Sequence, residues 1–137
     1  MSKILVTGSG KGLGLALKNK LQEDGHEVIK YEWVDGKDVR TPDVNGIDEL
    51  DVLINCAGVN IIDWLENFSE SQWDMVMDTN AKGIYMMSKA CLPMLIKSKG
   101  TIVNIVSNAA HMPMTCSLAY NASKGAAHIM TLQHLRS

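Results

Sequence analysis

Long apolar runs are missing from this 137-residue chain. No stretch is long enough to cross a bilayer as a helix, so no membrane partner is expected. Charge of one sign is missing too. The formal net charge is −2 and there is no basic block, which argues against nucleic acid as a partner. Aromatic residues are only 5% of the chain, while there are nine methionines, so part of the core is expected to be filled by flexible side chains. Three cysteines, Cys56, Cys91 and Cys116, form neither CxxC nor a zinc spacing. No metal site is predicted, and free thiols are expected, with Cys56 and Cys91 in the core. Repeats, low-complexity tracts and linkers are also lacking. A single domain over residues 1–137 is therefore expected. The opening Met-Ser-Lys-Ile-Leu-Val leads straight into a strand without a signal-peptide layout. The expected location is the cytoplasm.

Alternating strand and helix signals run along the chain, as in a parallel α/β sheet. Ile4 to Thr7 is a short apolar strand that ends in glycine. Leu13, Ala16, Leu17 and Leu21 follow at helical spacing, closed by Asp24-Gly25. Val28 to Tyr31 reads as a second strand. From Trp33 to Asp51 periodicity is thin, and Gly36, Pro42 and Gly46 punctuate it. A very short third strand is predicted near Lys37 to Val39. Val52 to Asn55 is a buried strand, Ser71 to Ser98 a long helix with Pro93 expected to kink its last turns, and Thr101 to Val106 another strand. From Leu118 onward the pattern is helical again, ending near Arg136-Ser137. The prediction is a three-layer, Rossmann-like, doubly wound α/β domain of about five parallel strands in the order 3-2-1-4-5.

Chemistry concentrates at the ends of the predicted strands. Thr7-Gly8-Ser9-Gly10-Lys11-Gly12-Leu13-Gly14 joins a strand to a helix. Glycines let a backbone approach a pyrophosphate closely, and a helix N-terminus supplies free N–H groups and a positive dipole end. The spacing lacks the Lys-Ser/Thr ending of a P-loop, which disfavours ATP chemistry. Glu32 ends the second strand, about twenty residues past the loop, where a carboxylate accepts from ribose hydroxyls and repels a 2′-phosphate; that favours NAD. Lys11 pulls toward NADP, since a cation in the loop could pair with that phosphate. Asn55-Cys56-Ala57-Gly58 ends a central strand with small residues that leave room for a cofactor ring or ribose. Asn80 sits on the apolar stripe of the long helix, where an amide needs partners. Ser107 stands at the end of a strand, and Tyr120 and Lys124 are four residues apart on one predicted helix face. A hydroxyl, a phenol and an ammonium so arranged suit proton transfer to a carbonyl oxygen: Ser107 binds the oxygen, Tyr120 moves the proton, and Lys124 stabilises the phenolate and holds a cofactor ribose.

These motifs, in this order, resemble the short-chain dehydrogenase/reductase family from Ile4 to about Thr131. The Thr7–Gly14 stretch resembles its TGxxxGxG cofactor loop. Asp38-Val39 resembles the pair that contacts adenine. Asn55-Cys56-Ala57-Gly58 is similar to NNAG, with Cys for the second Asn. Asn80, Ser107, Tyr120 and Lys124 fall on its catalytic tetrad. The resemblance implies NAD(P)-linked interconversion of an alcohol and a ketone or aldehyde. The implied cofactor-binding set is Gly8, Ser9, Lys11, Gly12, Leu13, Gly14, Glu32, Asp38, Val39, Asn55, Ala57, Gly58, Tyr120 and Lys124. It also implies a homo-oligomer packed through the 71–98 and 118–135 helices. Family members usually carry two further strands, more helices and a substrate loop beyond this stretch. The expectation is thus a cofactor half with its tetrad, completed by another chain. The alternative is a dinucleotide-binding module that senses cofactor or scaffolds a partner with little turnover.

Overall fold

Period-2 alternation in the central strands decides which residues meet which layer. In the computed structural model, which describes residues 1–134, four parallel strands form one sheet. They are β1 (Lys3–Thr7), β2 (Glu27–Tyr31), β3 (Val52–Asn55) and β4 (Thr101–Asn104), in the order β2-β1-β3-β4. Leu5 pairs in register with Leu53, and Val6 with Ile54. Successive side chains point to opposite faces. Leu5 and Leu53 therefore join Met87, Cys91 and Leu95 on one side, while Ile4, Val6 and Ile54 meet Leu17 and Leu21 on the other. Full burial of side chains of this size contributes about 1.5–3 kcal/mol each.

Helix α1 (Gly12–Glu23) covers the second face. The first face is covered by α3 (Gly83–Ser98). Beyond it, α4 (Leu118–His134) packs against α2 (Glu70–Met77) and the turn that follows α2. Three layers result, as expected. Ser69 begins α2 with a capping box: its hydroxyl accepts from Gln72 N–H, and Gln72 accepts from Ser69 N–H. The predicted end of the last helix, near Arg136-Ser137, lies outside the described residues.

Two expectations are corrected. The third strand predicted near Lys37 to Val39 does not form, so the sheet has four strands and the predicted order loses its outermost member. The reason is local. Asp38 Oδ1 accepts from Arg40 N–H at 2.9 Å, its carbonyl accepts from Tyr31 Oη–H, and Tyr31 Oη accepts from Asp43 N–H. Backbone groups that a strand would pair are spent on side chains. The crossover from β2 to β3 has only a single 3₁₀ turn, Trp33–Asp35, and covers the sheet with a loop instead of a helix. Val39 and Leu50 are buried in that loop, with Val44 and Ile47 packed behind them.

The long helix also differs. Its ladder opens into one π turn at Asp78–Lys82, around Asn80, and runs unbroken through Pro93. Such turns insert one extra residue and concentrate at functional sites. The cysteines are free. Cys91 is a core thiol whose pKa burial pushes up to about 11. Cys56, expected in the core, is only half-buried and faces a cleft.

Candidate active site

Beyond the C-terminal ends of β1 and β3 the glycine-rich turn, β2 and the loop after β3 enclose a cleft of about 660 Å³. Ligands of open α/β sheets bind at this edge. The turn owes its shape to contacts that only glycine allows. Gly8 has φ +65° and donates its N–H to the Tyr31 carbonyl at 2.9 Å. A Cβ on Gly8 would stand 2.8 Å from the Ala57 Cα, and a Cβ on Gly14 would overlap the Gly8 carbonyl oxygen. The α1 N-terminus opens on the cleft at Gly12, Leu13 and Gly14. No side chain caps it and no acidic residue occupies its first turn. It is thus a ready acceptor for a phosphate.

Thr7 ties the turn to β3. Its hydroxyl accepts from both Cys56 N–H and Ala57 N–H at 3.0 Å. Ser9, by contrast, is turned inward: it is buried, and its Oγ accepts from Tyr31 N–H at 3.2 Å. Only its backbone remains for a ligand. Glu32 lines the cleft, and its Oε2 accepts from Gly10 N–H at 2.7 Å. Lys11 lines the same cleft from the loop and is exposed. Asp38 and Val39 line its far end. The Arg40 guanidinium forks onto Asp38 at 2.9–3.1 Å and lies 5.0 Å from the Trp33 ring centroid. The hydrogen bonds to that guanidinium hold the Asp38 carboxyl below the usual carboxylate value. Ala57 and Gly58 form the cleft floor, but the Asn55 side chain is engaged elsewhere, donating to Asn104 Oδ1 at 2.9 Å and Ser88 Oγ at 3.4 Å.

At Gly58 the cleft meets a second group of side chains. A Cβ there would lie 3.5 Å from Asn80 Oδ1 and 3.7 Å from Lys124 Nζ. Asn80 is 1% exposed, and its amide is fully used. Its Oδ1 accepts from Val59 N–H, and its Nδ2 donates to the Val59 carbonyl, both at 2.8 Å. The remaining N–H reaches Ser123 Oγ at 3.1 Å, and Ser123 donates in turn to the Tyr120 carbonyl at 2.8 Å. Asn80 thus staples the loop after β3 to the helix that carries Tyr120. Lys124 is 6% exposed. Its Nζ donates to the Ile105 carbonyl at 3.2 Å and stands 5.6 Å from the Tyr120 ring centroid. Burial lowers its pKa, with the nearby Cys56 sulfur acting in the other direction. Ser107 begins a 3₁₀ turn, Asn108–Ala110, that packs directly on α4. Its hydroxyl caps the turn by accepting from Ala109 N–H at 3.1 Å and donates to Asn108 Oδ1.

The fold therefore brings Asn80, Tyr120 and Lys124 into one linked cluster, with the Ser107 turn packed against it. Thr7, Ser123 and the carbonyl of Ile105 were not legible as site residues. Thr7 stood inside the glycine motif, and Ser123 between Tyr120 and Lys124, but nothing in the spacing marked either as a tie.

Known proteins carry the same arrangement. A family model described as short chain dehydrogenase matches residues 39–136. An uncharacterized oxidoreductase of Staphylococcus aureus (strain MRSA252) is 31% identical over 155 residues, covering 93% of this chain and 67% of the relative. One of Staphylococcus epidermidis (strain ATCC 12228 / FDA PCI 1200) is 28% identical over 154 residues, with the same coverage. Ligand-free aldohexose dehydrogenase of Thermoplasma acidophilum superposes with a TM-score of 0.90 at 28% identity, over 97% of this chain and 60% of that one. A 4-hydroxyisoleucine dehydrogenase complexed with NADH superposes with a TM-score of 0.82 at 25% identity, over 98% of this chain and 68% of that one. The chain thus spans about two thirds of the length of its curated relatives.

Proposed function

The chain belongs to the short-chain dehydrogenase family, and from that premise we propose that it forms the cofactor and proton-transfer half of an NAD(P)-dependent oxidoreductase. The reaction is the interconversion of a small alcohol and its ketone or aldehyde. The observation that carries the reading is the meeting, at Gly58, of the glycine-lined cleft with Asn80 and Lys124.

The cleft fits a dinucleotide in size and in chemistry. Its volume lies in the range of cofactor sites. The uncapped α1 N-terminus suits the pyrophosphate. When bound, the nicotinamide supplies or accepts a hydride. Tyr120 gives its phenolic proton to the carbonyl oxygen as the alcohol forms, and takes it back in oxidation. Ser107 orients that oxygen with a hydrogen bond. Lys124 steadies the phenolate from one helical turn away and reaches the cofactor ribose. Asn80 is a positioning residue, because its amide is spent on Val59 and Ser123.

Glu32 supports NAD, since a carboxylate already anchored by Gly10 N–H stays in place to meet ribose hydroxyls. Lys11, at the same cleft, keeps NADP as the second candidate. We place the protein in the cytoplasm on its free thiols, and among the described residues no helix is long and apolar enough to cross a membrane. Exposed Trp73, Tyr85, Leu92, Ile129 and Leu132 on α2, α3 and α4 support pairing with a second copy through those helices.

One observation favours the non-catalytic module. The outer edge of β4 is unpaired among the described residues and borders a groove of about 720 Å³. Titration with NADH and NADPH, followed by a panel of carbonyls, separates the readings. NADH binding with turnover that falls at least about 10²-fold on Tyr120→Phe supports the enzyme. Binding without any turnover supports the module. Full turnover by Tyr120→Phe overturns the assigned mechanism.

A further inference from the structure

We infer that the carbonyl or alcohol taken by this site is apolar, an aryl or alkyl ketone or its alcohol, and not a sugar or a hydroxy acid. This rests on the oxidoreductase reading above and concerns the surface beside Tyr120. Two loops flank that residue. One follows β3, over residues 56–69, and the other joins the Ser107 turn to α4, over residues 111–117. They are knitted into one rim. Asp63 N–H donates to the Cys116 carbonyl at 2.9 Å, and Asn60 Nδ2 donates to Ser117 Oγ at 3.3 Å. The Asn121 amide holds Met114 from both sides, accepting its N–H at 3.1 Å and donating to its carbonyl at 2.9 Å. Cys116 holds its carbonyl in the stitch with φ +56°, a conformation that a residue with a side chain adopts only when its surroundings impose it.

That rim offers apolar surface to solvent. Ile62 is 69% exposed, Trp64 61% and Met112 71%, with Leu65 and Met114 also outside. The patch is continuous with the site. Val59, held by Asn80, lines the cofactor cleft and precedes Asn60 of the first stitch. Ser117 of that stitch precedes α4 and Tyr120. The polar groups of the rim are already engaged. Asp63 Oδ1 accepts from Trp64 N–H at 2.8 Å, and the two asparagine amides are consumed by the stitches. A polyol or a carboxylate needs several convergent donors and acceptors, and an unpaired polar substrate group would lose its water without return. A phenyl or alkyl group needs only the apolar rim. The two solved neighbours, titled for an aldohexose and for 4-hydroxyisoleucine, would thus differ from this chain in substrate class on one fold.

The test is calorimetric titration of the full-length protein with acetophenone and with D-glucose, each with and without saturating NADH. Acetophenone should bind at least about tenfold more tightly than glucose. The double substitution Ile62→Ser with Met112→Ser should weaken acetophenone at least about fivefold and leave the NADH affinity unchanged. Glucose binding as tight as acetophenone, or a double variant that binds acetophenone like the parent, overturns the inference. So does absent acetophenone binding with Trp64 and Met112 protected from oxidative footprinting, because another part of the protein would then occupy the rim. Failure of NADH to bind strikes the oxidoreductase reading instead, while the titrations without NADH still judge the rim.

Discussion

The glycine-loop end of the cleft is shaped by backbone, whereas the Tyr120 end is shaped by side chains. At the first, Gly8 and Gly14 let the chain pass within contact of Ala57 and of itself, and the free N–H groups of α1 need no side chain. At the second, a buried amide, a buried ammonium and two serine hydroxyls hold one another at hydrogen-bond distance. Shape at one end and functional groups at the other should fail in different ways. Adding any side chain should damage the loop whatever its chemistry. Near-isosteric changes should disable the Tyr120 end while the fold survives.

The largest effect is expected from Gly14→Val, whose Cβ would overlap the Gly8 carbonyl oxygen. Folding stability should fall by about 3 kcal/mol or more in denaturant titration, with NADH binding lost in parallel. A variant with unchanged midpoint would show that the loop yields more easily than its contacts imply. Lys124→Met tests the other half of the comparison. Its kcat/KM should drop roughly 100-fold, about 2.7 kcal/mol, while the melting temperature holds or rises, because a buried charge is removed. Loss of both together would make Lys124 a structural post instead of a chemical one.

Asn80→Ala sharpens the boundary between the two ends. It leaves both Val59 backbone groups and Ser123 without a partner. About 2 kcal/mol of stability should go, and turnover should fall with little change in NADH affinity. Equal losses in both would place Asn80 in the cofactor end. The smallest effect is at the Asp38–Arg40 pair, where both side chains are about three-quarters buried. Arg40 holds the Asp38 carboxyl below its ordinary value. The stabilisation is therefore complete above about pH 4, the unfolded value, and disappears as pH falls through the lower folded one. Asp38→Asn should cost about 1 kcal/mol at pH 7, and its urea midpoint should converge with the parent's in acid. A gap that stays constant with pH would mean that packing, not charge, holds that turn.

Much of this was legible in one dimension. The strand-loop-helix context of Thr7 to Gly14, the β3 end at Ala57-Gly58, and the four-residue spacing of Tyr120 and Lys124 are local patterns, and local patterns survive folding. The misjudged stretches lacked that support. Near Lys37 to Val39 a strand needed ladder partners, and the Asp38 and Tyr31 side chains took the backbone groups first. Cys56 looked like a core thiol because β3 is buried, but the strand has already ended where it stands.

By itself the sequence determined the layer architecture, the cofactor loop and the identity of the proton-transfer groups. All three follow from the period of apolar residues, from glycine's missing Cβ and from functional groups that only certain side chains carry. Tertiary structure alone decided that Asn80 is spent on Val59 and Ser123, that Ser9 and Asn55 turn away from the cleft, and that Lys124 is held by the Ile105 carbonyl. Those outcomes depend on which buried donor finds which acceptor across dozens of residues of chain. That is a competition settled by packing and by the cost of an unpaired polar group, and no local pattern encodes its result.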